Sequence, residues 1–338
     1  GVGAEALRII ARGALEPIMP GSSRRAQRTN RRVAIRLAGP PPPPAPPASE
    51  VGTKSVDLLD PFDARRAARM RIARFQDPSG DIRFGIPLDD TQAKLLEGDL
   101  YDGLRETGQA SPVSKWLAPV SPINIFGIGL NYRAHAEETG AHIPEHPVVF
   151  MKPTSAITNP GDPILLPVSC DQGPEVDYEA ELALVIGTTA RDVPAERALD
   201  HVLGYTCAND ISARRWQKHG GGGQWVRGKS FDGFCPLGPV LVTADEIPDP
   251  QSLGVQCLLN GQTMQNGNTG DMIFGVAELI ARLSRDTTLL PGTLILTGTP
   301  PGVGFARNPP VFLADGDLVR VQIEHIGALE NPVRTAGT

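Results

Sequence analysis

Long apolar runs are missing from this 338-residue sequence: none nears the ~18–20 residues that a membrane-spanning helix needs. Aromatic residues are scarce at 5%, while glycine (37) and proline (33) are abundant, a balance that favours many turns and short strands over long helices. The four cysteines, Cys170, Cys207, Cys235 and Cys257, form no CxxC pair and no zinc spacing, so they read as free thiols of a reducing compartment. No Walker motif and no GxGxxG in a strand–turn–helix context is present, which removes the commonest nucleotide cradles. Lysine is absent from residues 1–47, where eight Arg face two Glu for a charge of +6, so the rest carries 24 Lys+Arg against 36 Asp+Glu, or −12. A globular part that acidic is a poor partner for nucleic acid, whose binding rests on neutralising phosphates.

Composition otherwise reads as globular, with 40% hydrophobic and 21% charged residues, and the length allows one large core or two domains. Residues 1–50 read as a disordered Arg- and Pro-rich tail: SSRRAQRTNRR followed by the polyproline stretch GPPPPPAPPAS at 39–49. Arg-rich, Ser-containing and acid-poor is also the texture of an organellar transit peptide, so the expected location is cytoplasmic or mitochondrial. Residues 51–118 are expected to form a small N-terminal α+β domain, with two strands around the DPSGD turn. From 119 to 334 short apolar runs alternate with turn signals, including an Asn260–Gly261 hairpin signal. Helices are expected over 194–204 and 274–286. These readings give a β-rich α+β fold, a mixed roll or sandwich, with a small N-terminal domain.

The chemistry is expected to centre on VDYEAELALVIG, residues 176–187. Read as one strand, it puts Asp177, Glu179 and Glu181 on a face that ends apolar at Ala183 and Val185. Glu179 and Glu181, ~6–7 Å apart along a strand, can converge on a divalent ion, and hard oxygen donors suit Mg²⁺, Mn²⁺ or Ca²⁺ over zinc. An E-x-E pair alone reads more readily as a wet acidic face. A third carboxylate, Asp210 in GYTCANDISARRWQ, sits at a strand-to-helix junction, where a helix N-cap is the plain alternative. Lys229, between Gly and Ser in GKSFDGFCPLGP, is suited to an anionic substrate or a carbonyl, or is a surface lysine. His135 and Glu138 in GLNYRAHAEETG stand at i,i+3, so the carboxylate can orient the ring as in a general base. The Gly/Thr/Pro loop LTGTPPGVG can present N–H groups and a hydroxyl to a carboxylate or phosphate, and GGGG at 220–223 reads as a flexible lid.

In their order along the chain, GLNYRAHAEE, FMKPTSAITNPGDPI, VDYEAELALVIG, ANDISARRWQ, GKSFDGFCPLGP, NGNTGDMIF and LTGTPPGVG resemble the fumarylacetoacetate hydrolase superfamily, including its 2-hydroxyhepta-2,4-diene-1,7-dioate isomerase-like branch. The resemblance implies the family β-roll and a homodimer. It implies Glu179, Glu181 and Asp210 as ligands of Mg²⁺ or Mn²⁺, and Lys229 as an active-site lysine. His135 and Glu138 match the family's lid dyad, Thr299 the residue that helps bind a substrate carboxylate, and Lys152 a further substrate-binding motif. The implied substrate is a 2-oxo acid or its enol with a second carbonyl or carboxylate, a small molecule rather than nucleic acid or membrane. The expected reaction is C–C bond hydrolysis of the acylpyruvate or fumarylacetoacetate type, through an enolate stabilised by the ion. Oxaloacetate decarboxylation or tautomerisation and hydroxy-dienedioate isomerisation use the same apparatus. A non-catalytic metal-binding dimer is the reading of another class. One departure stands out: where the family often has SARDWQ, this chain has Arg215, an extra charge expected near the site entrance.

Overall fold

A computed structural model describes residues 70–220 and 222–336. The tail 1–50, the start of the N-terminal segment (51–69) and one glycine of the GGGG run lie outside them. Among the described residues no helix is long and apolar enough to cross a membrane.

Short strands dominate, as the turn-rich composition requires. A twelve-stranded mixed sheet runs in space through Gly103–Pro112, Gln92–Asp99, Ile82–Pro87, Arg71–Gln76, Cys235–Thr243, Val202–Asn209, Ala180–Ile186, Thr293–Leu296, Asn124–Gly129 and Val148–Lys152, with Lys115–Leu117 also paired to Arg71–Gln76 and Ile157–Thr158 to Cys235–Thr243. Most neighbours are antiparallel; Thr293–Leu296 and Asn124–Gly129 pair in parallel. A five-stranded sheet holds Gln262–Asn268, Gly254–Leu259, Leu318–Ile323, Gly327–Thr335 and Ile164–Leu166. Its first hairpin turns at Asn260 and Gly261, both at positive φ (52° and 80°), as an Asn-Gly two-residue turn demands.

In the described part of the N-terminal segment the regular elements are strands, with no helix. It joins the large sheet through Arg71↔Val242 and Ile72↔Leu241. The DPSGD turn is tied by Asp77 Oδ1, which accepts from the N–H of Ser79 (2.9 Å) and Asp81 (3.0 Å). The expected helix at 194–204 is shorter: an α-turn at Ala195–Ala198 and a 3₁₀ turn at Leu199–His201. Val202 and the residues after it are claimed by sheet pairing, beginning at Ile186↔Val202. The helix Val276–Ser284 falls inside its expected range and buries Val276, Leu279 and Ile280, an i,i+3,i+4 stripe.

The strand Ala180–Ile186 is the hub. Every one of its residues is buried. Leu182, Leu184 and Ile186 enter one apolar cluster, while Ala183 and Val185 enter another on the opposite face. Each large side chain there contributes roughly 2 kcal/mol by leaving water. A strand so anchored cannot slip by a residue without exchanging its two faces, and that fixes the carboxylates at its leading end.

Candidate metal centre and active site

The VDYEAELALVIG segment is not one strand. A two-residue strand, Val176–Asp177, pairs with Ser212–Ala213, and the long strand begins at Ala180. At the break, side-chain amides replace ladder partners: the Glu179 N–H donates to Asn209 Oδ1 and the Ala180 N–H to Gln265 Oε1, both at 2.9 Å. Asp177 meets Glu179 only through Arg214, whose Nη2 is 2.7 Å from each, and accepts from the N–H of Gly304 and Phe305 instead of joining the carboxylate triad. The expectation of one continuous strand is therefore corrected.

Register brings the third carboxylate in. Glu181 lies opposite Ala208 and Ala180 opposite Asn209, so Asp210 falls beside Glu179, and its N–H donates to the Glu179 carbonyl (2.9 Å). Glu179, Glu181 and Asp210 each place a carboxylate oxygen within 4.8 Å of the others, and all three are buried.

Three cations serve this cluster. Lys229 Nζ donates to Glu179 Oε2 (2.6 Å) and Asp210 Oδ2 (2.5 Å). Lys152 Nζ donates to the other Asp210 oxygen (2.5 Å). Arg214 pairs with both Asp177 and Glu179 at 2.7 Å. Burial opposes ionisation of Glu179, but Arg214 and Lys229 outweigh it and hold its carboxyl well below the usual range. Glu181 is different. Among the described residues it has no ion-pair partner and accepts the Gly298 N–H (2.7 Å). Burial, then the Asp210 and Glu179 charges, push its carboxyl well above the usual range. Three buried cations match Asp177, Glu179 and Asp210, and Glu181, whose ionisation burial opposes, is the carboxyl of the four without a cation of its own. A divalent cation held by Glu179, Glu181 and Asp210 would favour the ionised Glu181 and leave the site net positive. The all-oxygen donor set fits Mg²⁺ or Mn²⁺.

Above the triad is a cavity of about 210 Å³ whose wall includes Glu179, Glu181, Lys229, His135 and Thr299. His135 sits on the helix Arg133–Thr139, closed as expected by Gly140 at φ 63° in the left-handed region. Its Nδ1 is 3.1 Å from Glu138 Oε2, while Glu138 Oε1 accepts the Gly302 N–H (2.9 Å). The dyad is thus latched to the TGTPPGVG loop. Gly302 (φ 103°) must stay glycine there, because a Cβ would lie 2.1 Å from the Met264 carbonyl oxygen.

Two expected substrate contacts already have protein partners. Lys152 is fully buried, does not line the cavity, and spends its ammonium on Asp210 and the Ile211 carbonyl. Its residue type signalled a substrate anion, but the buried anion it meets is the protein's own. Thr299 does line the cavity, yet its hydroxyl donates to the Ala180 carbonyl (2.9 Å) and accepts from Gln265 (2.7 Å). Arg215 does not line the cavity, and its Nε is 3.7 Å from Glu175 Oε1. Sequence reasoning passed over Arg214, Gln217 and Lys218, which all line the cavity. Their i, i+3, i+4 spacing after Asp210 was the available signal. The four cysteines are free, and burial pushes the Cys207 and Cys235 thiols up to about 12, which makes them inert packing groups.

Residues 124–334 match the family model described as fumarylacetoacetate (FAA) hydrolase C-terminal, and residues 70–119 match one described as Rv2993c-like, N-terminal. The chain is 51% identical over 218 residues to the oxaloacetate tautomerase fahd2, mitochondrial, of Xenopus laevis, a match that spans 64% of this chain and 67% of that one. It is 46% identical over 259 residues to the human oxaloacetate tautomerase FAHD2B, mitochondrial, which spans 74% and 82%. Among solved structures, the 2-hydroxyhepta-2,4-diene-1,7-dioate isomerase of Mycobacterium marinum superposes with a TM-score of 0.68 at 38% identity, over 80% of this chain and all of that one. The fumarylacetoacetate hydrolase of Exiguobacterium antarcticum superposes with a TM-score of 0.69 at 38% identity, over 79% and 99%. With the model spanning well over half its length, the chain belongs to the fumarylacetoacetate hydrolase family of enzymes.

Proposed function

We propose that the chain is a Mg²⁺- or Mn²⁺-dependent tautomerase of a short 2-oxo dicarboxylic acid, with oxaloacetate as the leading substrate. The observation that carries this reading is the charge of the cavity: its wall carries Arg214, Lys218 and Lys229 beside the carboxylate cluster, and the net positive charge of the ion-loaded site suits an anion. Relatives 46–51% identical carry the name oxaloacetate tautomerase, which supports the same substrate.

Glu179, Glu181 and Asp210 hold the ion in this reading. When bound, it supplies a Lewis acid for the 2-oxo oxygen. His135 acts as the base: Glu138 engages Nδ1 and leaves Nε2 to take a proton from C3 in the keto-to-enol direction and return it in the reverse. Lys229 neutralises negative charge that develops on the oxygen. The same dyad can polarise water, so C–C hydrolysis, the reaction expected from the sequence, is the second reading. It is favoured by the Exiguobacterium neighbour's name. A mitochondrial location, as in the relatives' names, and a homodimer belong to this proposal; organelle fractionation and light scattering test them.

The functional test is a panel with Mg²⁺ and with EDTA: oxaloacetate for enol decay and for pyruvate release, acylpyruvates for cleavage, and a hydroxyhexadiene-dioate for isomerisation. The expected result is metal-dependent enol–keto interconversion without cleavage. Cleavage of acylpyruvates at a higher kcat/KM than tautomerisation favours hydrolysis. No metal-dependent turnover of any of them refutes the enzymatic reading.

A further inference from the structure

We propose that Lys218 is the specificity-determining residue for the distal carboxylate of the substrate, and so selects 2-oxo dicarboxylic over 2-oxo monocarboxylic acids. The inference rests on the cavity being a 2-oxo acid site, as argued above.

Three cations line the cavity: Arg214, Lys218 and Lys229. Two are already committed. Lys229, nearly fully buried, bridges Glu179 and Asp210. Arg214 bridges Asp177 and Glu179, and also donates to Gln217 Oε1 (3.1 Å). Lys218 forms no ion pair among the described residues. It rests instead on an aromatic face, Nζ 3.8 Å from the centroid of Phe305, itself part of the cavity wall.

The helix Arg214–His219 places Arg214 and Lys218 at i,i+4, on one face. Both stand over the same ring, Arg214 at 4.5 Å. Two like charges at that spacing repel, and burial followed by the Arg214 charge lowers the Lys218 pKa. A carboxylate arriving at the cavity relieves both costs at once. The ion-binding end takes the 2-oxo carboxylate and leaves the distal group to meet whatever cation remains. Lys218 is exposed enough to reach it, and although the Asp177 charge acts on it, it has no ion pair among the described residues to break.

The test uses a ligand pair that differs at one position: oxaloacetate, and 2-oxobutanoate, in which a methyl replaces the distal carboxylate. Binding of each to the Mg²⁺-loaded full chain is measured by calorimetry for the wild type, Lys218→Met and Lys218→Glu. Methionine keeps the apolar length that lies on Phe305, and melting temperatures verify folding. The wild type is expected to prefer oxaloacetate by roughly fivefold, the upper end for a partly exposed ion pair. Lys218→Met should bind the two ligands equally, and Lys218→Glu should prefer 2-oxobutanoate. The proposal is overturned if the wild type shows no preference or if Lys218→Met retains it. The readout is binding, so a preference that depends on Lys218 in a chain without tautomerase turnover upholds the inference and refutes the proposed reaction.

Discussion

Asp177→Asn should destabilise the metal-free protein by about 3–5 kcal/mol, the usual cost of removing one partner from a buried ion pair. Asp177 is fully buried and both its oxygens are in use. Oδ1 accepts from the N–H of Tyr178 (2.9 Å) and Gly304 (2.7 Å). Oδ2 accepts from the N–H of Phe305 (3.0 Å) and Arg214 Nε (2.7 Å). An asparagine amide offers one acceptor oxygen. Whichever way it flips, its NH₂ faces two donors, and each buried donor left unpaired costs about 1–3 kcal/mol. The Arg214 charge then has Glu179 as its sole carboxylate partner. That tightens its hold on a proposed metal ligand, so Mn²⁺ affinity should fall although no ligand was changed. Urea unfolding at pH 7 with EDTA reads the first effect, and Mn²⁺ titration reads the second. A loss under about 1 kcal/mol refutes the buried network as drawn; an unaltered Mn²⁺ affinity refutes the coupling through Arg214.

Two further outcomes follow from the site. His135→Asn should lower turnover by about 10²–10⁴, the range of a general base, while Mn²⁺ affinity stays within a few-fold; intact turnover removes the dyad from the chemistry. Glu181 gives a pH signature in the metal-free protein. Its folded pKa lies above the unfolded glutamate value of ~4.3. It therefore favours the fold at acid pH, and that contribution is lost as pH rises through the folded pKa. Glu179, shifted down, acts below the usual value and leaves this window clear. Denaturation curves with EDTA from pH 4.5 upward should show Glu181→Gln gaining on the wild type, and saturating Mg²⁺ should reverse the order. Parallel curves refute the raised carboxyl.

The strands, the Asn260–Gly261 hairpin and the E-x-E pair were legible because each is a local pattern: alternation, turn chemistry, spacing. Seven ordered motifs then carried the family. What was not legible was set by tertiary partners. The break at Tyr178–Glu179 depends on Asn209 and Gln265, side chains 30 and 85 residues away. Lys152 looked substrate-directed because nothing local shows that it would be buried against Asp210. Arg215 stands out in the sequence, but it lies beside Glu175, and its helix neighbours Arg214 and Lys218 are the ones that line the cavity. Asp177, whose role the sequence left open, is the clamp on Arg214.

The central claim is that Glu179, Glu181 and Asp210 hold one divalent ion. Mn²⁺ binding to wild type and Glu181→Gln, followed by electron paramagnetic resonance of free Mn²⁺, tests it most directly. The account predicts one Mn²⁺ per chain in the wild type, and affinity weaker by at least about a hundredfold in Glu181→Gln, beyond the 10–100-fold typical of outer-sphere changes. A Gln variant that binds Mn²⁺ as tightly as the wild type would contradict it.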